Sequence, residues 1–330
     1  MKPINTYLIK LTGLLLLVIV LQGCMEQPGT WKNDQIKAGK RDDFHELNGQ
    51  VFKAIKVNDL VAAKLFMSKE MIDNTYTRRS VELVSNGLND NKYSLLDEYY
   101  VVNKWLDNDT INAKSSGINS YDLYYPGTTR EMYIAFYVSA NSINRFIIST
   151  VYAKYNYGWK LSDLDIAPYT INGKTAPELY KLAKEEYNKK YLIAAVNNAA
   201  LALTCVKPIS IWQYPDESDL SDFNSKVINE ANEKYKFPFT LNQLPAKPMI
   251  LKVYNQKSDN GYFPMIYYMT HININDTTAV KLENTQVKKI LYKEMPGIEK
   301  DTKYVFYEAF NKFPNSSESV DRFDMVDKTQ

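Results

Sequence analysis

The chain has 330 residues, of which 40 are basic and 38 acidic, so its formal net charge is only +2. Hydrophobic residues make up 45% and charged residues 24%, which is typical of globular proteins. A nucleic-acid-binding protein needs a basic surface that this balance does not indicate, so no nucleic-acid partner is expected. The length favours two domains.

An apolar run at the amino terminus indicates export. Lys2 and Lys10 precede a nearly uninterrupted apolar run over 11–21, and no acidic residue occurs there. A permanent membrane helix needs about 20 apolar residues. A shorter run behind positive charges therefore predicts a cleaved signal peptide over 1–23.

The apolar run ends in Leu21-Gln22-Gly23-Cys24, which resembles the lipobox of bacterial lipoproteins. The resemblance implies that the Cys24 thiol carries diacylglycerol and that Cys24 is the first mature residue. Acyl chains contribute about 0.8 kcal/mol per buried methylene, so they would anchor the protein to a membrane of the cell envelope. Met25 in the next position favours the outer membrane if the cell has one. The alternative is an ordinary secretory signal that ends at an incidental cysteine.

The region after the signal predicts a first α+β domain over 42–172. Residues 24–41 are polar and contain a Pro-Gly break, which predicts a tether between the lipid and the folded body. Apolar residues at steps of three and four then predict helices, and strands with hairpin-length gaps follow, interrupted by a predicted loop at 107–119. In 130–139 both faces of the predicted strand are apolar or amphipathic, so we expect helices packed on one side of a curved antiparallel sheet and partial enclosure on the other.

This first region resembles the nuclear-transport-factor-2-like superfamily in its helix–helix–helix–meander order and its closing hairpin Tyr157-Gly158-Trp159-Lys160-Leu161. Secreted members often close with Gly-x-Trp-Lys-Ile/Leu, whereas here no residue separates the glycine from the tryptophan. The resemblance implies a cone whose mouth binds small molecules. The candidate pocket residues are Trp105, Tyr133, Tyr137 and Trp159. The alternative is that these rings are core and interface aromatics.

A second α+β domain is predicted over 173–314. Thr175 is a suitable helix cap, with proline and glutamate in the turn that follows, and a helical hairpin is expected there. Later, Asn260-Gly261 between two apolar runs predicts a hairpin of antiparallel strands. The polar residues 315–330 are expected to form a disordered tail.

Few residues suit catalysis. The two histidines, His45 and His271, cannot form a His-x-x-x-His zinc motif, and no phosphate-binding loop or nucleophile elbow occurs. We interpret His45 as a solvated or packing residue. With Cys24 lipidated, Cys205 has no disulfide partner, and its Ala/Leu-rich surroundings predict a buried thiol. No catalytic residue, metal or cofactor is assigned.

Two functional hypotheses follow. The first is a lipid-anchored, non-catalytic binding or assembly protein that engages a small molecule or an envelope protein. The alternative is a cone-pocket enzyme of isomerase or hydratase type that uses aspartate and tyrosine for acid–base chemistry. A buried acid or histidine beside a tyrosine hydroxyl favours the enzyme, whereas a filled aromatic core or an exposed apolar patch favours binding.

Overall fold

The protein has the predicted α+β fold. The computed structural model describes four stretches of chain, residues 26–113, 117–140, 142–314 and 319–329. The predicted signal peptide and Cys24 lie outside them. No helix within these stretches combines the length and the apolar character that crossing a bilayer requires.

Eight helices lie in the described residues, together with a short 3-10 turn at Asn33–Gln35. The helices are α1 (Ala38–Lys56), α2 (Leu60–Lys64), α3 (Lys69–Asp73), α4 (Thr77–Asp90), α5 (Ala176–Asn188), α6 (Leu192–Thr204), α7 (Glu217–Tyr235) and α8 (Thr277–Glu294). The described strands are β1 (Gly29–Lys32), β2 (Tyr93–Val102), β3 (Asn108–Asn112), β4 (Asp122–Pro126), β5 (Glu131–Ser139), β6 (Phe146–Tyr155), β7 (Gly158–Pro168), β8 (Trp212–Gln213), β9 (Phe239–Thr240), β10 (Met249–Ser258), β11 (Gly261–Met269), β12 (Tyr304–Phe310) and β13 (Arg322–Lys328).

The first sheet has the strand order β1-β2-β5-β6-β7, and every neighbouring pair is antiparallel. Side chains along β5 alternate between two separate cores, as the sequence pattern predicts. Met132 and Ile134 belong to one core, whereas Tyr133 and Ala135 belong to the other. A sheet with apolar residues on both faces must be covered on both.

Helices α1 and α4 cover one face of this sheet. Phe44 and Val51 of α1 and Val84 of α4 pack against Tyr152 and Leu164 of the sheet in one buried cluster. Burial of apolar side chains stabilises this packing by about 25 cal/mol per Å² removed from water. The predicted arrangement of amino-terminal helices on an antiparallel sheet is confirmed.

The opposite face is covered by a small sheet with the order β3-β4-β8, together with the hairpin of α5 and α6. The ring of Trp212 stacks on Tyr121 with 3.5 Å between centroids and meets Phe136 edge-on at 5.4 Å. The predicted enclosure of the second face is confirmed, and it is contributed partly by residues beyond 172.

The core on this face extends from Tyr99 to Leu220 and so includes residues on both sides of the predicted boundary at 172/173. The division into domains at 42–172 and 173–314 remains a prediction. The segment 107–119, predicted to be a loop, contains β3. This strand pairs with β4 through its backbone and buries only Ile111, so its sequence has no apolar alternation.

The second large sheet has the order β13-β12-β11-β10-β9. The predicted hairpin is confirmed, since Ser258 pairs with Gly261 at the turn between β10 and β11. Not all of its strands are antiparallel, however, because β11 and β12 run parallel. Helix α8 lies between these two strands in the chain, and a parallel pair needs a crossover connection of this kind.

Two predicted unstructured segments are folded where the structure describes them. The predicted tether at 24–41 contains β1, which pairs with β2, and the start of α1. The predicted tail at 315–330 contains β13, which pairs with β12 along its whole length. Both predictions were wrong for these residues, because an edge strand is held by backbone hydrogen bonds and needs little apolar alternation.

Candidate functional site

The structure does not bring the four predicted pocket residues into one cavity. Trp105 follows the end of β2 and is 73% exposed. Tyr133 is fully buried beneath α1, where Phe44 stacks on it with 4.0 Å between centroids. Trp159 meets the same Phe44 edge-on at 4.8 Å, so Tyr133 and Trp159 share one aromatic cluster. Tyr137 lies farther along β5 and lines a different cavity.

That cavity is an open cleft of about 670 Å³ between α1, the end of α4 and the start of β2. Its aromatic wall is formed by Phe52 of α1 and Tyr137 of β5, which meet edge-on with 5.0 Å between centroids. The volume lies within the range of about 300–1,000 Å³ that is usual for small-molecule sites. The lining residues are His45, Asn48, Gly49, Phe52, Lys53, Lys56, Leu88, Asn91, Lys92, Tyr93, Leu95 and Tyr137.

The charged side chains of this lining are all basic. Lys53, Lys56 and Lys92 lie on it, and no carboxylate does. None of these three lysines forms a salt bridge within the described residues, where the ion pairs involve other lysines. Like charges held around one concave surface attract an anion and repel a cation.

One buried amide of the lining lacks a partner for its donor. Asn48 is 2% exposed, and its Oδ1 accepts hydrogen bonds from Thr150 Oγ1 at 3.0 Å and Tyr152 Oη at 2.9 Å. Its Nδ2 has no hydrogen-bond partner among the described residues. Buried donors are rarely left unpaired, so an acceptor from a bound molecule or a water is expected there.

Next to the cleft, the buried carboxylate of Glu98 accepts hydrogen bonds from a tyrosine and a histidine. Glu98 is 2% exposed, and its Oε2 accepts hydrogen bonds from Tyr133 Oη at 2.5 Å and His45 Nε2 at 2.8 Å. Burial raises the pKa of Tyr133, and the negative charges near it raise it further, so the hydroxyl stays protonated and acts as a donor. When His45 Nε2 carries the proton shared with Glu98, its Nδ1 remains an acceptor.

Sequence reasoning missed this cluster. The sequence predicts a solvated or packing role for His45, but the structure links it to a carboxylate 53 residues away in the chain. The one local signal of a buried acid is Glu98, which lies in the strand run Asp97-Glu98-Tyr99-Tyr100-Val101-Val102. Alternation along the strand places Glu98 on the same, helix-covered face as Tyr100. Nothing in the spacing indicates which helix residue meets it.

The described residues also bear on metal binding and on the chemistry of Cys205. Among them, no group of three histidine, cysteine or acidic side chains is placed to hold a metal ion. Cys205 is buried as predicted, and burial raises the pKa of its thiol to about 12, which makes it a poor nucleophile.

Comparison of the chain with protein-family models finds no match, and comparison with curated proteins finds none either.

Proposed function

We propose that this protein is a lipid-anchored envelope protein of the non-catalytic binding type, and that its cleft binds a small molecule that carries an anionic group. The observation that carries the proposal is the cleft lining, in which Lys53, Lys56 and Lys92 surround an aromatic wall and no acid is present. A planar apolar body would contact Phe52 and Tyr137, and its anionic group would lie among the lysines.

The buried cluster supports binding over catalysis. Tyr133 and Glu98 are both buried and are hydrogen-bonded to each other, so neither group faces the cleft. The space beneath α1 is filled by the stacked rings of Phe44 and Tyr133 and by Trp159. A filled aromatic core is the feature that the binding hypothesis predicts. These rings therefore serve to pack the fold and do not line an open cone.

The alternative is an acid–base enzyme, and one observation favours it. His45 lines the cleft while Glu98 orients its ring from behind, which is how a general base is commonly positioned. In this alternative His45 takes the role that we expected of an aspartate. Exchange of the α-proton of an aryl ketone for solvent deuterium, lost in His45→Gln, would support it.

Two further assignments remain proposals. Lipidation at Cys24 is supported by the lipobox, and membership of the nuclear-transport-factor-2-like superfamily is supported by helices packed on a curved antiparallel sheet. Metabolic labelling with a fatty-acid analogue should tag the protein, and Cys24→Ser should abolish the tag. Labelling that survives the substitution would reject lipidation at this residue.

Ligand binding can be tested with anilinonaphthalene sulfonate, an aromatic anion whose fluorescence rises in apolar sites. We expect saturable binding that the double variant Lys53→Gln/Lys92→Gln weakens about tenfold, since each exposed charge contributes up to about 1 kcal/mol. Lys293→Gln is the matched control, because Lys293 is also an exposed helical lysine but lies on α8. Equal affinity of the double variant and the control would reject an anion site in the cleft.

A further inference from the structure

One end of the first sheet carries exposed aromatic side chains next to the start of the folded chain. At this end β1 begins, β2 ends, β5 begins, and the β6–β7 hairpin turns. We call it the anchor end. The register places Gly29 opposite Val102, so the chain that leads back to Cys24 leaves the sheet on this side.

The folded body starts much closer to Cys24 than a tether would place it. The carboxylate of Glu26 accepts hydrogen bonds from Lys40 Nζ at 2.8 Å and from Tyr100 Oη, and its backbone oxygen accepts one from Arg130 at 3.2 Å. Only Met25 lies between Cys24 and Glu26, so the chain needs two residue steps to connect them. At a maximum of about 3.5 Å per residue, Cys24 lies within about 7 Å of a fixed point of the fold.

Two exposed aromatic side chains lie at this end, in two different connections. Trp105, in the β2–β3 connection, is 73% exposed, and Leu106 beside it is 68% exposed. Tyr157, in the β6–β7 hairpin, is 42% exposed. A lysine lies over each ring, since Lys104 Nζ is 5.5 Å from the Trp105 ring and Lys69 Nζ is 5.5 Å from the Tyr157 ring.

The fold holds the β2–β3 connection in place. The backbone nitrogen of Asn103 donates to the carbonyl oxygen of Arg130 at 2.8 Å, and that of Gly127 donates to the carbonyl oxygen of Asp107 at 2.9 Å. Gly127 lies in the connection between β4 and β5. A Cβ atom at this position would lie 2.6 Å from the backbone oxygen of Asp107, so the two connections pack too closely for a residue larger than glycine at 127. These contacts fix the connection on both sides of Trp105 and Leu106, and both side chains are exposed there.

We propose that the anchor end rests on the bilayer, with Trp105, Leu106 and Tyr157 in the interfacial layer of the membrane that holds Cys24. Tryptophan and tyrosine favour this layer because their rings are apolar while their N–H and O–H groups reach water. Lysine stems beside them can lie along the acyl boundary with their ammonium groups among the phosphates. This inference rests on the proposed lipid anchor.

The charges at the anchor end are compatible with a lipid surface. Glu26 and Glu131 are each paired with a lysine, Lys40 and Lys154 respectively. Asp107, next to Leu106, is exposed, so its carboxylate would lie on the aqueous side of the lipid headgroups. Without a lipid surface, the neighbouring side chains of Trp105 and Leu106 would both remain in water. A short connection to the acyl chains makes the bilayer the surface that this patch meets.

The inference can be tested on the full-length lipidated protein in vesicles of phosphatidylethanolamine and phosphatidylglycerol that contain brominated acyl chains. Leu106→Cys and, separately, Ile143→Cys would be labelled with a polarity-sensitive maleimide fluorophore. Ile143 is the matched control, since it is a 38% exposed aliphatic side chain in the β5–β6 connection at the opposite end of the same sheet. Cys205 is buried and should not react.

We expect brominated lipid to quench the label at Leu106 at least threefold more strongly than the label at Ile143. Equal quenching at both positions of vesicle-bound protein would overturn the inference and leave the lipid anchor intact. Protection of the Leu106 label from aqueous iodide without quenching by brominated lipid would also overturn it, because a protein would then cover the patch. Failure of the protein to bind vesicles, together with loss of the fatty-acid tag, would reject the anchor itself and this inference with it.

Discussion

The two ends of the first sheet combine similar residue types to opposite effect. At the cleft end, the rings of Phe52 and Tyr137 pack on each other and leave a concave wall, around which lysines project without acidic partners. At the anchor end, Trp105 stands in solvent on a connection fixed by backbone hydrogen bonds. At the cleft end, rings that pack on each other form the wall of a pocket. At the anchor end, an exposed ring on a fixed connection offers a surface for contact with another body.

The largest expected difference between the two ends is in stability. We expect Tyr137→Ala to lower the free energy of unfolding by about 3 kcal/mol, because it removes a packed ring from between α1 and the sheet. Trp105→Ala should change it by less than about 0.5 kcal/mol, since the ring is exposed. Urea unfolding followed by circular dichroism measures both. A comparable loss in the two variants would mean that Trp105 is packed in solution.

The second-largest effect on stability is expected from substitution of Glu98, the buried carboxylate next to the cleft. Glu98→Gln keeps the shape of the side chain but removes the negative charge that Tyr133 and His45 donate to, and charge-assisted hydrogen bonds contribute about 1.5–3 kcal/mol. We expect a loss of about 2 kcal/mol in the free energy of unfolding. An unchanged stability would show that the charge of Glu98 is not needed by the fold and would strengthen the enzymatic alternative.

A second buried carboxylate provides a contrast to Glu98. Glu186 of α5 accepts one hydrogen bond, from Asn198 at 2.7 Å, and its Oε1 has no partner among the described residues. Burial raises its pKa to about 7. The folded state therefore holds the proton more tightly than the unfolded state, and stability falls as pH rises from about 4.5 through about 7.

Glu186→Gln should remove this pH-dependent cost. We expect the variant to be about 3 kcal/mol more stable than the parent at pH 8 and nearly equal to it at pH 4.5, since each pKa unit corresponds to about 1.4 kcal/mol. Thermal unfolding at the two pH values measures the difference. Destabilisation at both would show that the carboxylate has a partner in solution.

The smallest expected effect is the dependence of binding on salt concentration, which should differ between the two ends. Raising the salt concentration about tenfold should weaken binding of anilinonaphthalene sulfonate to the cleft about threefold, because exposed charges are screened within a few ångströms at high ionic strength. The same change should leave lipid quenching at Leu106 unaltered, since the contact proposed there is apolar. Salt sensitivity at Leu106 instead of at the cleft would reverse the roles assigned to the two ends.

Predictions from the sequence succeeded where a local period reports burial. The alternation in β5 placed Met132 and Tyr133 on opposite faces, and the Asn-Gly turn located the β10–β11 hairpin. They failed for β1 and β13, which are edge strands. Backbone hydrogen bonds to a neighbouring strand hold these segments, and such bonds leave no apolar period in the sequence. The partner of β1 is also distant in the chain, whereas β13 pairs with the strand directly before it.

The candidate site was predicted only in part. Tyr137 does line the cleft, but the three lysines and Asn48 come from α1 and from the turn into β2, which meet only when the helix packs on the sheet. The pairing of His45 with Glu98 depends in the same way on how α1 sits across β2. These side chains have no regular spacing in the sequence, so the sequence pattern does not predict that they lie together.

The sequence alone determined the α+β class, the apolar faces of the central strand and the predicted lipid site at Cys24, because each depends on residues close together in the chain. Only the tertiary structure decided that the folded body already includes Glu26, that the cleft is basic, and that Trp105 is exposed at the anchor end. These features depend on contacts between residues far apart in the chain, and such contacts are specified by packing and backbone pairing, which local spacing does not record.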